Sequence, residues 1–194
     1  MTRKTRLDTA IVVQAAAEML NTQGAEAFSI NRLAEQLGVQ PPSLYNHVNG
    51  LPGLQRELAL MNARALSACM GDAAIGKSGA EALMAMAQAY RHYIKNNSGV
   101  YLASLNVTRQ PNDAELQAAQ QRVVEIALAV MAGFGLQGED ALHAVRGLRS
   151  VVHGFATLEV AGGFGLPLDC DESFQRLLRL FSNQLVSNQP LANG

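Results

Sequence analysis

The chain has 194 residues, enough for one large domain or two small ones with a real core. Its 15 lysines and arginines stand against 16 acidic residues, and a net charge of −1 excludes a generic polyanion binder. Aromatics make up only 5%, tryptophan is absent and β-branched alternation is scarce, which points to an all-α chain, and the elements read in order below make about nine helices.

Residues 1–6 carry Arg3, Lys4 and Arg6, a basic arm able to reach a nucleic-acid backbone or minor groove. A helix is expected from about Leu7 to Gln23, with Ile11, Val12, Ala15, Met19 and Leu20 inward and Gly24 as its stop. Phe28 reads as a core plug. Ser29 is a good N-cap for a second helix, because its hydroxyl can accept from an orphan backbone N–H. Ile30, Leu33 and Leu37 then give that helix one apolar face, and Gly38 suits a left-handed end. Pro41 has its φ preset for a helix start and pushes Gln40 out of helical space, so a third helix should open there.

Leu44 and Val48 face inward on that third helix. Gln40, Ser43, Tyr45, Asn46 and His47 are left outward. Two short helices around a glycine-containing turn form a helix-turn-helix, whose second helix enters the major groove. Asn can bond adenine bidentately, Ser and Gln can read several base edges, and Tyr and His suit phosphate contacts. The expected DNA-facing set is Arg3, Lys4, Ser29, Arg32, Gln40, Pro41, Ser43, Tyr45, Asn46 and His47.

After Asn49-Gly50 a linking helix is expected from about 51 to 70, with Leu54, Leu58, Met61, Ala65 and Ala68 inward. This places a boundary between a helix-turn-helix domain over residues 1–50 and a helical regulatory and dimerisation domain over 71–194. Residues 71–78, GDAAIGKS, fit the G-x-x-x-x-G-K-S phosphate-loop pattern letter for letter. That loop needs a preceding β-strand, and residues 58–70 read as helix, so a plain loop is expected. Further helices follow over about 80–96, 98–107, 113–133 and 139–160. The turn AGGFGLP leads to a last helix, capped by Asp169 or Asp171 and running to about Leu185.

No apolar run approaches the roughly 20 residues that span a bilayer, and Gln14 and Glu18 interrupt any signal-peptide core, so a cytoplasmic protein without membrane contact is expected. Cys69 and Cys170 lack metal spacing and read as free thiols. His92, His143 and His153 form no ligand pattern, and no catalytic constellation is implied. The sequence therefore gives no reason to expect a metal, a cofactor or an enzyme. The rival readings are a helical protein-interaction module and a small-molecule-binding, enzyme-like helical domain.

The run S-I-x-x-L-A-x-x-L-G-V-x-x-x-x-L-Y-x-H-V over residues 29–48, with an amphipathic helix before it, resembles the DNA-binding domain of TetR-family repressors. Where that family usually carries a phosphate-binding Lys, this chain has Leu51. The segment Leu148–Phe164, with D-x-S-F at residues 171–174, resembles the C-terminal domain of a TetR subgroup often called WHG-type. The resemblance implies a dimeric repressor that binds a palindromic double-stranded DNA operator and is released by a small apolar or amphipathic ligand. It places the homodimer interface on the last two helices, with Leu148, Val152, Phe155, Phe174, Leu178 and Phe181 as candidates. For the ligand, Met86, Tyr90, Tyr93, Tyr101, Met131 and His153 are the expected polar tips and adaptable walls.

Overall fold

The computed structural model describes residues 7–105, 107 and 112–187, and these are helical apart from their connections. In chain order the helices are α1 (Thr9–Gln23), α2 (Ile30–Leu37), α3 (Pro41–Val48), α4 (Gly50–Ala74), α5 (Gly79–Asn96), α6 (Ser98–Leu105), α7 (Ala114–Ala132), α8 (Gly138–Val160) and α9 (Cys170–Ser187). Among the described residues no helix is long and apolar enough to cross a membrane.

Two compact units divide the chain. The first holds the residues up to Asn62 together with Asn97–Gln117, and the second holds Ala63–Asn96 and the residues from Ala118 onward. This division differs from a boundary at residue 71 in two respects. The first unit extends well into α4, and it reclaims α6 from the later part of the chain.

The reason for α6 lies in α1. Asp8 caps α1 through its carboxylate, which accepts from Ile11 N at 2.9 Å. From Val12 to Leu20 only Gln14 and Glu18 of α1 are exposed, so its alanines are buried as well as its stripe. Such an all-round apolar helix needs cover on several sides, and α2, α3 and α6 supply it. A side chain at Gly99 would overlap the Leu20 carbonyl, so α6 comes up against the end of α1 at backbone distance. The Asn21 carboxamide secures that approach by accepting from Val100 N at 3.0 Å.

In the first unit α4 buries Leu54 and Leu58, as expected. Beyond Asn62 its buried residues are Ala63, Leu66 and Met70, while Ala65 and Ala68, expected to face inward, are exposed. The second unit is built on α5, α8 and α9. Leu83, Met86 and Ile94 of α5, Leu148, Val152 and Ala156 of α8 and Phe174 and Leu178 of α9 are all buried there. Residues 71–78 begin inside α4 and end in a turn, and no described strand precedes them.

Candidate functional site

The helix-turn-helix is held at each of its joints by a local device. Ser29 Oγ accepts from Arg32 N at 3.3 Å and opens α2. Gly38 closes α2 in the left-handed region at φ 66°. Its N–H donates to Glu35 O, and Val39 N donates to Ala34 O, both at 3.0 Å, the paired bonds of a Schellman end. Two prolines then start α3. They remove two N–H groups that would have needed partners, and the next, Ser43 N, donates to Gln40 O at 2.9 Å. No side-chain cap is required, so the exposed Gln40 carboxamide is not spent on one.

Leu33 and Leu44 are fully buried, and Ala34 at 1% exposure lets α3 lie close against α2. This inward set leaves Tyr45 and Asn46 exposed, with Ser43 and His47 half-buried beside them. The Tyr45 ring comes to within about 4 Å of where a side chain at Gly50 would start. The left-handed pair Asn49 (φ 51°) and Gly50 (φ 77°) turns the chain at this point. Ser29 and Arg32 are exposed at the start of α2, and Pro41 is half-buried at the start of α3. Arg32 also donates to Ala27 O at 3.0 Å, which closes the turn before α2. Arg3 and Lys4 lie outside the described residues.

Three features of the head escaped sequence reasoning. Thr9 Oγ1 donates to His47 O at 2.8 Å, so the start of α1 satisfies a carbonyl at the end of α3. Gly53 is obligatory, because any side chain there would overlap the Val48 carbonyl. Arg56 is gripped by three carboxylates, those of Glu57, Asp113 and Glu115. A helix-start Thr is unremarkable in sequence, and a glycine inside an apolar helix reads only as a weak position. Residues 56 and 113 are too far apart along the chain for pattern reading to pair them. Leu51, standing where the family Lys would be, is 42% exposed and offers no charge.

In the second unit four of the six residues expected at a dimer interface lie in the chain's own core. Leu148 (4% exposed), Val152, Phe174 and Leu178 (all 0%) are buried in the chain's own core and are not surface groups. α8 and α9 each bury one apolar face internally. Phe155 and Phe181 are half-buried, Phe155 against Phe164 and Phe174, and Phe181 against Gly147. The large apolar groups left outward on these helices are Leu142, Leu158, Val160, Leu180 and Val186.

Among the expected ligand residues, Met86, Tyr90 and Met131 are buried in the second unit, where Tyr93 and His153 are half-buried. Tyr101 is buried in the first unit. Burial, and then the nearby Cys69, push the Tyr93 hydroxyl up to about 12. Burial likewise raises the Cys69 thiol, which donates to Leu66 O at 3.2 Å. An apolar cavity of about 290 Å³ opens elsewhere in this unit, lined by Phe155, Phe164, Leu166, Leu168, Cys170 and Ser173 among others, and none of the six expected residues lines it.

A three-helix head with a polar face on its second short helix, followed by a helical body, defines a helix-turn-helix DNA-binding regulator. Residues 12–47 match the model of the bacterial regulatory proteins of the tetR family, and residues 83–181 match that of the tetracyclin repressor-like C-terminal domain. The chain belongs to the TetR family of transcriptional regulators. It is 33% identical over 179 residues to the HTH-type transcriptional regulator YobS of Bacillus subtilis (strain 168), covering 92% of each chain. It is 27% identical over 182 residues to the class D tetracycline repressor protein of Escherichia coli, covering 90% of this chain and 78% of that one. A solved structure from Rhodococcus sp. RHA1 shares the fold at a TM-score of 0.77 and 20% identity, over 92% of this chain and 95% of that one.

Proposed function

We propose that this DNA-binding regulator is a repressor that covers a palindromic operator as a homodimer in the cytoplasm and lets go when a small molecule binds. The observation that carries the DNA contact is the combination of an exposed Tyr45-Asn46 pair with a recognition helix fixed at both ends. Asn46, Ser43 and Gln40 are assigned to base edges, and Tyr45, His47 and Arg32 to phosphates. Ser29 and Pro41 shape the two helix starts, whose backbone dipoles favour a phosphate. Arg3 and Lys4 add charge near the duplex.

A dimer supplies two heads, which must sit roughly 34–36 Å apart to meet successive major grooves. The outward apolar residues Leu158, Leu180 and Val186 are the proposed contact, in place of the buried groups expected from sequence. For the ligand, an apolar or amphipathic molecule is assigned to the surroundings of Met86, Tyr90, Tyr93, Met131 and His153. A relative by fold, ActR of Streptomyces coelicolor, has been solved in complex with (S)-DNPA, at a TM-score of 0.68 and 18% identity. Release would follow from the ligand's preference for the DNA-incompetent arrangement, by no more than its differential binding energy.

Selection of bound sequences from random duplex DNA tests the reading. A palindrome with half-sites one helical turn apart is expected. Enrichment of a single unrepeated site would remove the dimeric operator from the proposal.

A further inference from the structure

We infer that Arg56 is a positioning residue for operator binding, acting through Asp113 to hold the seat of the recognition helix. The guanidinium forms a fork on Asp113, with Nε at 2.6 Å from Oδ2 and Nη2 at 2.7 Å from Oδ1. Nη2 also reaches Glu115 at 2.7 Å, and Nη1 reaches Glu57 at 2.6 Å. A planar fork matched to a carboxylate fixes direction as well as distance, which a Lys could not do.

Asp113 is anchored in its turn. Its side chain is only 11% exposed, and its Oδ1 accepts from Leu116 N at 3.1 Å, capping α7. The Arg56 hydrogen bonds hold its carboxyl below the usual Asp range. Arg56 stands one turn beyond Gly53, the position where α4 touches the Val48 carbonyl at the end of α3. Leu54 and Leu58, on either side of Arg56 along α4, share one core with Leu44 and Val48. A tilt of this end of α4 would therefore move α3, and the Arg56–Asp113 fork resists that tilt.

The same geometry keeps Arg56 off DNA. Three carboxylates surround it, so its charge is already matched, and Leu51 supplies none. Arg56 thus serves specificity by placement.

The test uses the full-length protein, the duplex enriched from random DNA and a scrambled duplex of equal length. Arg56→Gln, Arg56→Lys, Asp113→Asn and the exchange Arg56→Asp with Asp113→Arg are measured at a temperature where circular dichroism shows them folded. Arg56→Gln and Asp113→Asn should each lose about tenfold in affinity for the selected duplex, with no change on the scrambled one. Together they should lose no more than either alone, the exchange should recover part of the loss, and Arg56→Lys should fall between. If Arg56→Gln does not fold, Arg56→Lys carries the test. A salt slope reduced by about one in Arg56→Gln would make Arg56 a phosphate contact and overturn the inference. Tighter binding of both duplexes by Asp113→Asn, or unchanged affinity in every variant, would overturn it as well.

Discussion

Arg91, with no solvent exposure at all, donates to both oxygens of Glu159 at 2.7 Å and so joins α5 to α8. Its guanidinium carbon also lies 5.3 Å from the Phe155 ring centroid and 4.9 Å from that of Phe174, and Nη1 is 2.7 Å from Asp171 at the start of α9. Lys95 adds a second cation to Glu159 at 2.6 Å. A charge this deep is tolerable only while it is paired.

Removing the partner should be more damaging than removing the pair. Glu159→Ala leaves the buried guanidinium facing one well-exposed carboxylate, and a loss of about 3 kcal/mol is expected for the second unit. Urea unfolding followed by circular dichroism reads this directly. A midpoint equal to that of the unchanged protein would show that Asp171 suffices.

Acid should act through the same bonds. The hydrogen bond from Arg91 holds the Glu159 carboxyl below its usual range, and the bond from Arg56 does the same for Asp113. A folded-state pKa below the unfolded value means the stabilisation is complete above about pH 5 and is lost as pH falls through the folded value. Melting temperature should therefore hold between pH 7 and 5 and drop below pH 4. A flat profile to pH 3 would contradict this account.

Gly53→Ala is expected to damage the head. Its new methyl group would overlap the Val48 carbonyl, and a backbone oxygen cannot swing aside as a side chain could. A loss of about 3 kcal/mol in the first unit, with weakened DNA binding, is the expected result. Amide exchange would localise it to α3 and the start of α4. Protection unchanged at Leu44 to Val48 would refute it.

On the DNA face the expectation is the reverse, function without stability. Tyr45 is 47% exposed, so Tyr45→Ala should change stability by no more than about 0.5 kcal/mol while weakening operator binding. Asn46→Ala should relax preference at one base position, by roughly 1–3 kcal/mol. Repeating the random-duplex selection with this variant is the measurement, and an unaltered motif would reject the base contact.

For the dimer, Leu180→Glu is a cleaner probe than a change at Phe181. Leu180 is 70% exposed, whereas Phe181 lies 3.2 Å from where a Gly147 side chain would begin and is part of the internal packing. The variant should sediment as a folded monomer. A dimer mass would exclude this face.

Much of this molecule was legible from the chain alone, because its signals are local. Ser29, Gly38 and Pro41 mark helix ends by properties of single residues, and Leu33, Leu44 and Val48 mark inward faces by spacing within one turn or two. The helix-turn-helix, the exposed Tyr45 and Asn46, and the helical class all rest on interactions of short sequence range. The TetR resemblance rested on that same stretch and on residues 148–174.

Tertiary structure decided what depends on partners far along the chain. Gly99 against Leu20 brings α6 into the first unit, and no local pattern foretells such a contact. Leu148, Val152, Phe174 and Leu178 are buried in the chain's own core, because an apolar stripe says that a face is covered but never by what. Nothing local to Arg56 or Arg91 marks its partner, and only the fold brings Asp113 and Glu159 to them. Periodicity reports the need for burial, and only the folded chain assigns the group that satisfies it.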